Sequence, residues 1–195
     1  EHINALSGLG VAFLELGTAT PRPQLGNKKP RLFRDTENLS LLNRMGFNNK
    51  GVLNLVRNIK AYEGQCKLLI SIGKNFDTPD EKSIDDYLFC LEKVFPFADV
   101  VTINVSSPNT KGLRSLQKPK SLSGFLNTLK KRQIELSKRF NYKPLAVKIS
   151  PDISKNECKE ISKILLGEGI DGLIATNTTS DHNDRNGKGG LSGKL

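Results

Sequence analysis

The sequence predicts an α/β protein built on a parallel sheet and, more narrowly, part of a (β/α)8 barrel of the TIM type. Three observations carry that reading. Short apolar, β-branched runs alternate with longer helical patterns, and strand, helix, strand in succession means right-handed crossovers between parallel strands. Polar loops of small residues follow strand after strand, at Gly17-Thr18, Ser71 to Asn75, Asn104 to Thr110, Lys148 to Pro151 and Thr176 to Thr179, as they do when all strand ends converge on one face. The G-x-G-x-x-G fingerprint that opens a helix in a dinucleotide-binding, doubly wound sheet is missing.

Strands are expected at Val11 to Leu16, Lys67 to Ile72, Asp99 to Val105, Pro144 to Ile149 and Asp171 to Thr176. Glu1 to Gly8 reads as the end of a helix, and Gly51 to Tyr62 as an amphipathic one. Thr78-Pro79-Asp80-Glu81 reads as an N-cap, a first-turn proline and a capping-box glutamate ahead of Tyr87, Leu88 and Leu91. Leu122 to Phe140 is a longer helix. Ser154-Lys155-Asn156-Glu157 repeats the capping logic before Ile161, Ile164 and Leu165, with Gly167 and Gly169 closing the helix. Pro21 to Arg34 is a proline-rich insertion, expected to be a hairpin or an ordered loop beside the site. A barrel takes about eight strands and 250 residues. The chain therefore reads as one partial barrel domain over residues 1–195, an internal segment of a longer protein whose two open sheet edges favour aggregation.

The 195 residues are 36% hydrophobic and 6% aromatic, enough for one sizeable core. No apolar run approaches the roughly 20 residues of a spanning helix, and Glu1 does not open a signal peptide. Cys66, Cys90 and Cys158 lie far apart, without metal or redox spacing, and read as reduced thiols. The formal charge of +10 suits an anionic ligand, but the lysines are spread over helix faces and only Lys28-Lys29-Pro30-Arg31 forms a cluster. Without interleaved aromatic residues, that charge does not point to nucleic acid.

Asn104-Val105-Ser106-Ser107-Pro108-Asn109-Thr110 ends its strand in a fixed turn dense with small hydrogen-bonding side chains. Together with Glu15 to Gln24, Pro30 to Arg34, Asn43 to Asn49, Ile72 to Asn75, Val147 to Ile149, Ala175 to Thr179 and Gly189 to Gly193, it makes the chain resemble the dihydroorotate dehydrogenases along essentially its whole length. By that resemblance its strands are two to six of the barrel. Within that family it is similar to the quinone-dependent, membrane-associated class, because the soluble class has cysteine where this chain has Ser107. Ser180 to Lys188 is the kind of loop that varies freely.

The resemblance implies oxidation of dihydroorotate to orotate in pyrimidine synthesis, with FMN as hydride acceptor and a membrane quinone as final acceptor. It implies that Ser107 is the base, with Thr110 and Phe47 relaying and shielding its proton. Asn43, Arg44, Met45, Gly46, Phe47, Asn104, Asn109, Asn177 and Thr178 fall at substrate-binding positions. Thr18, Ser71, Asn104, Lys148, Thr176 and Gly193 fall at flavin positions, Ser71 replacing the asparagine of many members. Lys148 carries a physical argument of its own: a lysine ending an apolar strand must meet an electron-rich partner, which the resemblance makes the flavin ring near N1 and O2. No metal is implied. The expected location is peripheral, on the cytoplasmic side of a bacterial-type inner membrane or, in a eukaryote, on the mitochondrial inner membrane, through a segment outside this chain. The family's phosphate site and first strand are not in this sequence, so the chain alone is expected to bind flavin weakly or not at all. Two other readings remain open: a related flavin barrel reducing uracil in RNA or free pyrimidines, against which Ser107 argues, and a non-catalytic remnant.

Overall fold

A computed structural model describes residues 2–110, 112–184 and 186–194; Glu1, Lys111 and Arg185, on which parts of the expectations above fall, lie outside it, as does Leu195. A parallel sheet of five strands runs in the order β1 (Phe13–Ala19), β4 (Lys67–Ile72), β5 (Val100–Asn104), β6 (Leu145–Ile149), β7 (Gly172–Ala175). Each strand is followed by a helix before the next: α2 (Val52–Lys60), α3 (Ser83–Val94), α4 (Pro119–Phe140) and α5 (Lys155–Gly167), with the short α1 (Ile3–Ser7) ahead of β1. The five expected strands are all present, within a few residues. The first is displaced most, because pairing of Phe13 with Lys67 and of Ala19 with Ile72 carries it as far as Ala19.

Side chains alternate between the two faces of the sheet. Leu68, Ile70, Val101, Ile103, Leu145 and Val147 point outward and are buried beneath the helices, where Tyr87 of α3 meets Phe125 of α4 edge to face, with ring centroids 5.0 Å apart. The register puts Glu15, Leu69, Ser71, Val100, Thr102, Asn104, Ala146 and Lys148 on the other face. That face is concave. Lys148 Nζ of β6 reaches Glu15 Oε2 of β1 at 2.8 Å, across two intervening strands, which a flat sheet spaced at about 4.8 Å per strand does not allow. The sheet is thus an arc of a barrel.

A second sheet, which the sequence reading did not foresee, is antiparallel and joins β2 (Leu32–Asp35), β3 (Ser40–Asn43) and β8 (Gly190–Gly193). It ties the end of the chain to the insertion after β1. The insertion itself is ordered by Asn75, whose Nδ2 donates to Gln24 Oε1 at 2.8 Å and Arg22 O at 3.0 Å while its Oδ1 accepts from Arg22 N at 3.0 Å. Arg31, read as part of a surface basic cluster, instead staples this loop through Leu25 O at 2.6 Å and Asn27 O at 3.0 Å.

The capping box at Ser154 forms as expected, Ser154 Oγ accepting from Glu157 N and Glu157 Oε2 from Ser154 N. The one at Thr78 does not. Asp86 captures the Thr78 hydroxyl at 2.7 Å and Lys74 engages Asp80 at 3.2 Å, so Asp80–Lys82 form a 3₁₀ turn and α3 starts only at Ser83. Among the described residues no helix is long and apolar enough to cross a membrane.

Candidate active site

The carboxyl ends of the strands meet around a cavity of about 300 Å³. Its walls bring together Thr18, Asn43, Met45, Gly46, Phe47, Asn104, Ser107, Asn109, Lys148, Asn177 and Thr178, eleven of the residues singled out from sequence. Gly17 and Asn48 complete the lining.

The four asparagines form two linked pairs. Asn109 Nδ2 donates to Asn43 O and Oδ1, both at 3.2 Å, and Asn43 Nδ2 donates to Gly190 O at 3.2 Å. Asn177 Nδ2 donates to Asn104 Oδ1 at 3.3 Å and Ser106 Oγ at 3.2 Å. The carboxamides of Asn104 and Asn177, at the ends of β5 and β7 on either side of β6, and those of Asn43 and Asn109, from the antiparallel sheet and the β5 loop, present donors and acceptors together, as a planar molecule with imide edges requires. Two anchors set the height of this platform. Tyr87 Oη donates to Asn104 O at 2.6 Å from the buried side, and the phenol is pushed well above its ordinary pKa by burial, which keeps it a donor. Gln117 Oε1 accepts from Ser150 N at 2.8 Å beneath the end of β6.

Ser107 is buried, and its Oγ accepts from Asn109 N at 3.3 Å. Thr110 Oγ1, three residues on, is buried with no hydrogen-bond partner among the described residues. Phe47 has a left-handed backbone at φ +53, and its ring lies so close to Gly73 that a Cβ there would come within 2.9 Å of Phe47 Cε2. Only glycine at position 73 lets that ring cover the site.

On the concave floor, Asn104 Nδ2 donates to Thr18 Oγ1 at 2.9 Å, and Thr18 and Ser71 share a hydrogen bond of 2.8 Å. Ser71 therefore acts on the cavity through Thr18 and does not line it. Lys148 has the electron-rich partner its position demands, but inside the protein that partner is Glu15, a residue the sequence reading quoted in a motif and gave no role. The signal was available, since Glu15 alternates with Leu14 and Leu16 in a strand whose inward face also carries Gly17. With one carboxylate bond and 21% exposure, Lys148 keeps N–H groups for a further acceptor. Thr18, Asn104 and Lys148, with Ser71 behind Thr18, make a donor set that fits a flavin ring, whose N1 and O2 take hydrogen bonds and positive charge.

Besides Ser71 and Thr110, three of the residues singled out from sequence lie outside the lining. Thr176 Oγ1 donates to Asn177 O at 2.9 Å. Gly193 pairs with Ser40 in the antiparallel sheet and lines a separate cavity with Arg34, Leu39 and Leu41, while Arg44 packs its guanidinium 4.8 Å from the centre of the Phe33 ring. Arg44 also borders, with Asn109, the larger opening of about 860 Å³ beside the site. No cluster of three or more potential metal ligands occurs among the described residues.

The family pattern described as dihydroorotate dehydrogenase matches residues 1–195. The chain belongs to the dihydroorotate dehydrogenase family. It is 54% identical over 199 residues to the dihydroorotate dehydrogenase (quinone) of Acinetobacter baumannii, covering 98% of this chain and 60% of that protein. It is 52% identical to that of Idiomarina loihiensis, covering 100% of this chain and 60% of the relative. The chain thus spans about 60% of the length of these curated relatives. Among solved structures, ligand-free type DHODH from Eimeria tenella superposes with a TM-score of 0.84 at 36% identity, over 93% of this chain and 57% of that one. The same protein in complex with ferulenol gives 0.83 at 37% identity. The arc of five parallel strands is accordingly part of the family's (β/α)8 barrel, and the family uses a flavin.

Proposed function

We propose that the protein to which this chain belongs oxidises dihydroorotate to orotate in pyrimidine synthesis, with FMN as hydride acceptor and a quinone as final acceptor. The observation that carries the reading is the single cavity that gathers Ser107, the asparagine carboxamides and Lys148 from four separate stretches of sequence. Bound FMN would accept the hydride from C6 of the substrate. Ser107 Oγ stands to take the proton from C5, and the unpartnered Thr110 hydroxyl is the relay that lets a serine act as a base, with Phe47 keeping bulk water from that path. Asn43, Asn104, Asn109 and Asn177, with Thr178, hold the planar, anionic substrate by its polar edges; Arg44, Met45 and Gly46 shape the approach. Lys148, fixed by Glu15, offers its remaining N–H groups to the flavin beside Thr18 and Asn104, with Ser71 acting through Thr18 and with Thr176 and Gly193 outside this cavity.

Serine at position 107 supports the quinone-linked class over the soluble one, as do the names of the bacterial relatives. The corresponding location is peripheral, at the cytoplasmic face of a bacterial inner membrane, reached through a segment outside this chain, with no role for nucleic acid. The test is anaerobic addition of dihydroorotate to the FMN-loaded protein. Bleaching of the flavin absorbance, reversed by a quinone analogue and not by fumarate or NAD, is the expected result. A spectrum untouched by dihydroorotate would sink the reading.

A further inference from the structure

The groups assigned to the substrate stand on loops that follow different strands, and the network that holds those loops in register lies outside the cavity. Arg114 is its centre. Nε donates to Ser106 O at 3.1 Å, Nη1 to Asp152 Oδ2 and to Ser180 Oγ, each at 2.9 Å, and Nη2 to Thr178 O at 3.4 Å. Asp152, in the loop after β6, also accepts from the Thr179 hydroxyl, from Ser180 N at 2.7 Å and from Ser180 Oγ at 2.8 Å. Burial opposes the charged form of Asp152, but the bonds from Thr179, Ser180 and Arg114 outweigh it and hold the carboxyl at about 2. One guanidinium thus grips the residue before Ser107, the residue after Asn177 and the turn after β6, the strand between them.

We propose that Arg114, seated on Asp152, is a positioning residue that sets the separation between Ser107 and the Asn177–Thr178 wall, so that both loops close on one substrate together. The inference rests on the reading that these two loops serve a shared ligand. Only a planar fork with several fixed donors can reach two backbone carbonyls, a carboxylate and a hydroxyl at once; an ammonium is a single point on a flexible stem. Besides Arg114 and Asp152, the β7 loop is tied by the backbone bonds of Thr179 with Leu191 at 3.1 and 2.8 Å and of Asn177 N with Ile149 O at 2.8 Å, and by the Asn177 side chain to Asn104 and Ser106. Freeing Arg114 therefore loosens it along with the Ser107 loop.

The experiment is amide hydrogen exchange on the protein to which this chain belongs and on its Arg114→Gln and Arg114→Lys variants, with orotate binding followed by calorimetry in the presence of FMN. Expected is an acceleration of about tenfold or more in both loops together in Arg114→Gln, less in Arg114→Lys, with α4 and β4 as protected as before. Orotate then binds about tenfold more weakly. Acceleration confined to residues 112–116, or in one loop alone, would overturn the proposal. If α4 loosens too, Asp152→Asn decides: the paired change restricted to the two loops supports the proposal, and its absence overturns it. If the protein to which this chain belongs binds no orotate with FMN present while its two loops still loosen together, the dehydrogenase reading is refuted and the coupling stands.

Discussion

The central strands and the edge strands of the parallel sheet are made of the same kind of residue and behave differently. In β4, β5 and β6 the outward residues Ile70, Val101, Ile103 and Val147 are fully buried beneath α3, α4 and α5. In β7 the outward Leu173 is 44% exposed, and in β1 the inward Phe13 is 55% exposed. Strand composition alone does not bury a strand; helix cover on one face and neighbours across the barrel on the other do. The chemistry follows the same division. Asn104, Ser107 and Lys148, which carry the proposed reaction, end or follow central strands, whereas Thr18 and Thr176 end the edges. A rigid floor is where a catalytic group can be held to the tolerance the reaction needs.

That division predicts unequal responses. The largest is in catalysis: Ser107→Ala is expected to slow dihydroorotate-dependent flavin reduction by about 10²- to 10⁴-fold, the range for loss of a general base, while Thr176→Ala slows it by less than about tenfold. Stopped-flow absorbance measures both, and equal losses would erase the contrast. Next comes stability. Leu126→Ala, at a fully buried position of α4, should cost about 3 kcal/mol in urea unfolding, and Leu173→Ala on the edge less than about 1 kcal/mol.

A third test is acid. The Asp152 carboxyl is held at about 2 against an ordinary value of 3.8, so its contribution is complete above pH 4 and drains away as pH falls from 4 towards 2. It amounts to about 2 kcal/mol. Asp152→Asn should flatten the acid limb of the stability curve in that window, and an unchanged limb would remove Asp152 from the network between the central β6 and the edge β7. The smallest effect concerns the helix that joins those two strands: Ser154→Ala breaks the capping box of α5 and should lower stability by about 1 kcal/mol, read as a shift in the urea midpoint.

Much of this was legible in the residues. Period and β-branching located all five parallel strands, and the Ser154 box was read correctly because both of its halves are local. The Thr78 box was misread for the opposite reason. Its hydroxyl and Asp80 had non-local competitors, Asp86 one helical turn into α3 and Lys74 at the end of β4, and no local rule ranks those. The antiparallel sheet was missed because its third strand, Gly190–Gly193, is a short glycine-bounded run that only its partner β3 makes into a strand.

By itself, the sequence determined the class of fold, the succession of strands and helices, and the family, and it named the candidate site residues, since those depend on periodicity, turn chemistry and motifs contiguous along the chain. Only the tertiary structure decided which of those residues share a cavity, that Lys148 is anchored by Glu15, and that Arg114 with Asp152 bridges the loops. Glu15 and Lys148 are 133 residues apart and meet because the sheet curls, and curvature is a property of all the strands together that no single segment encodes.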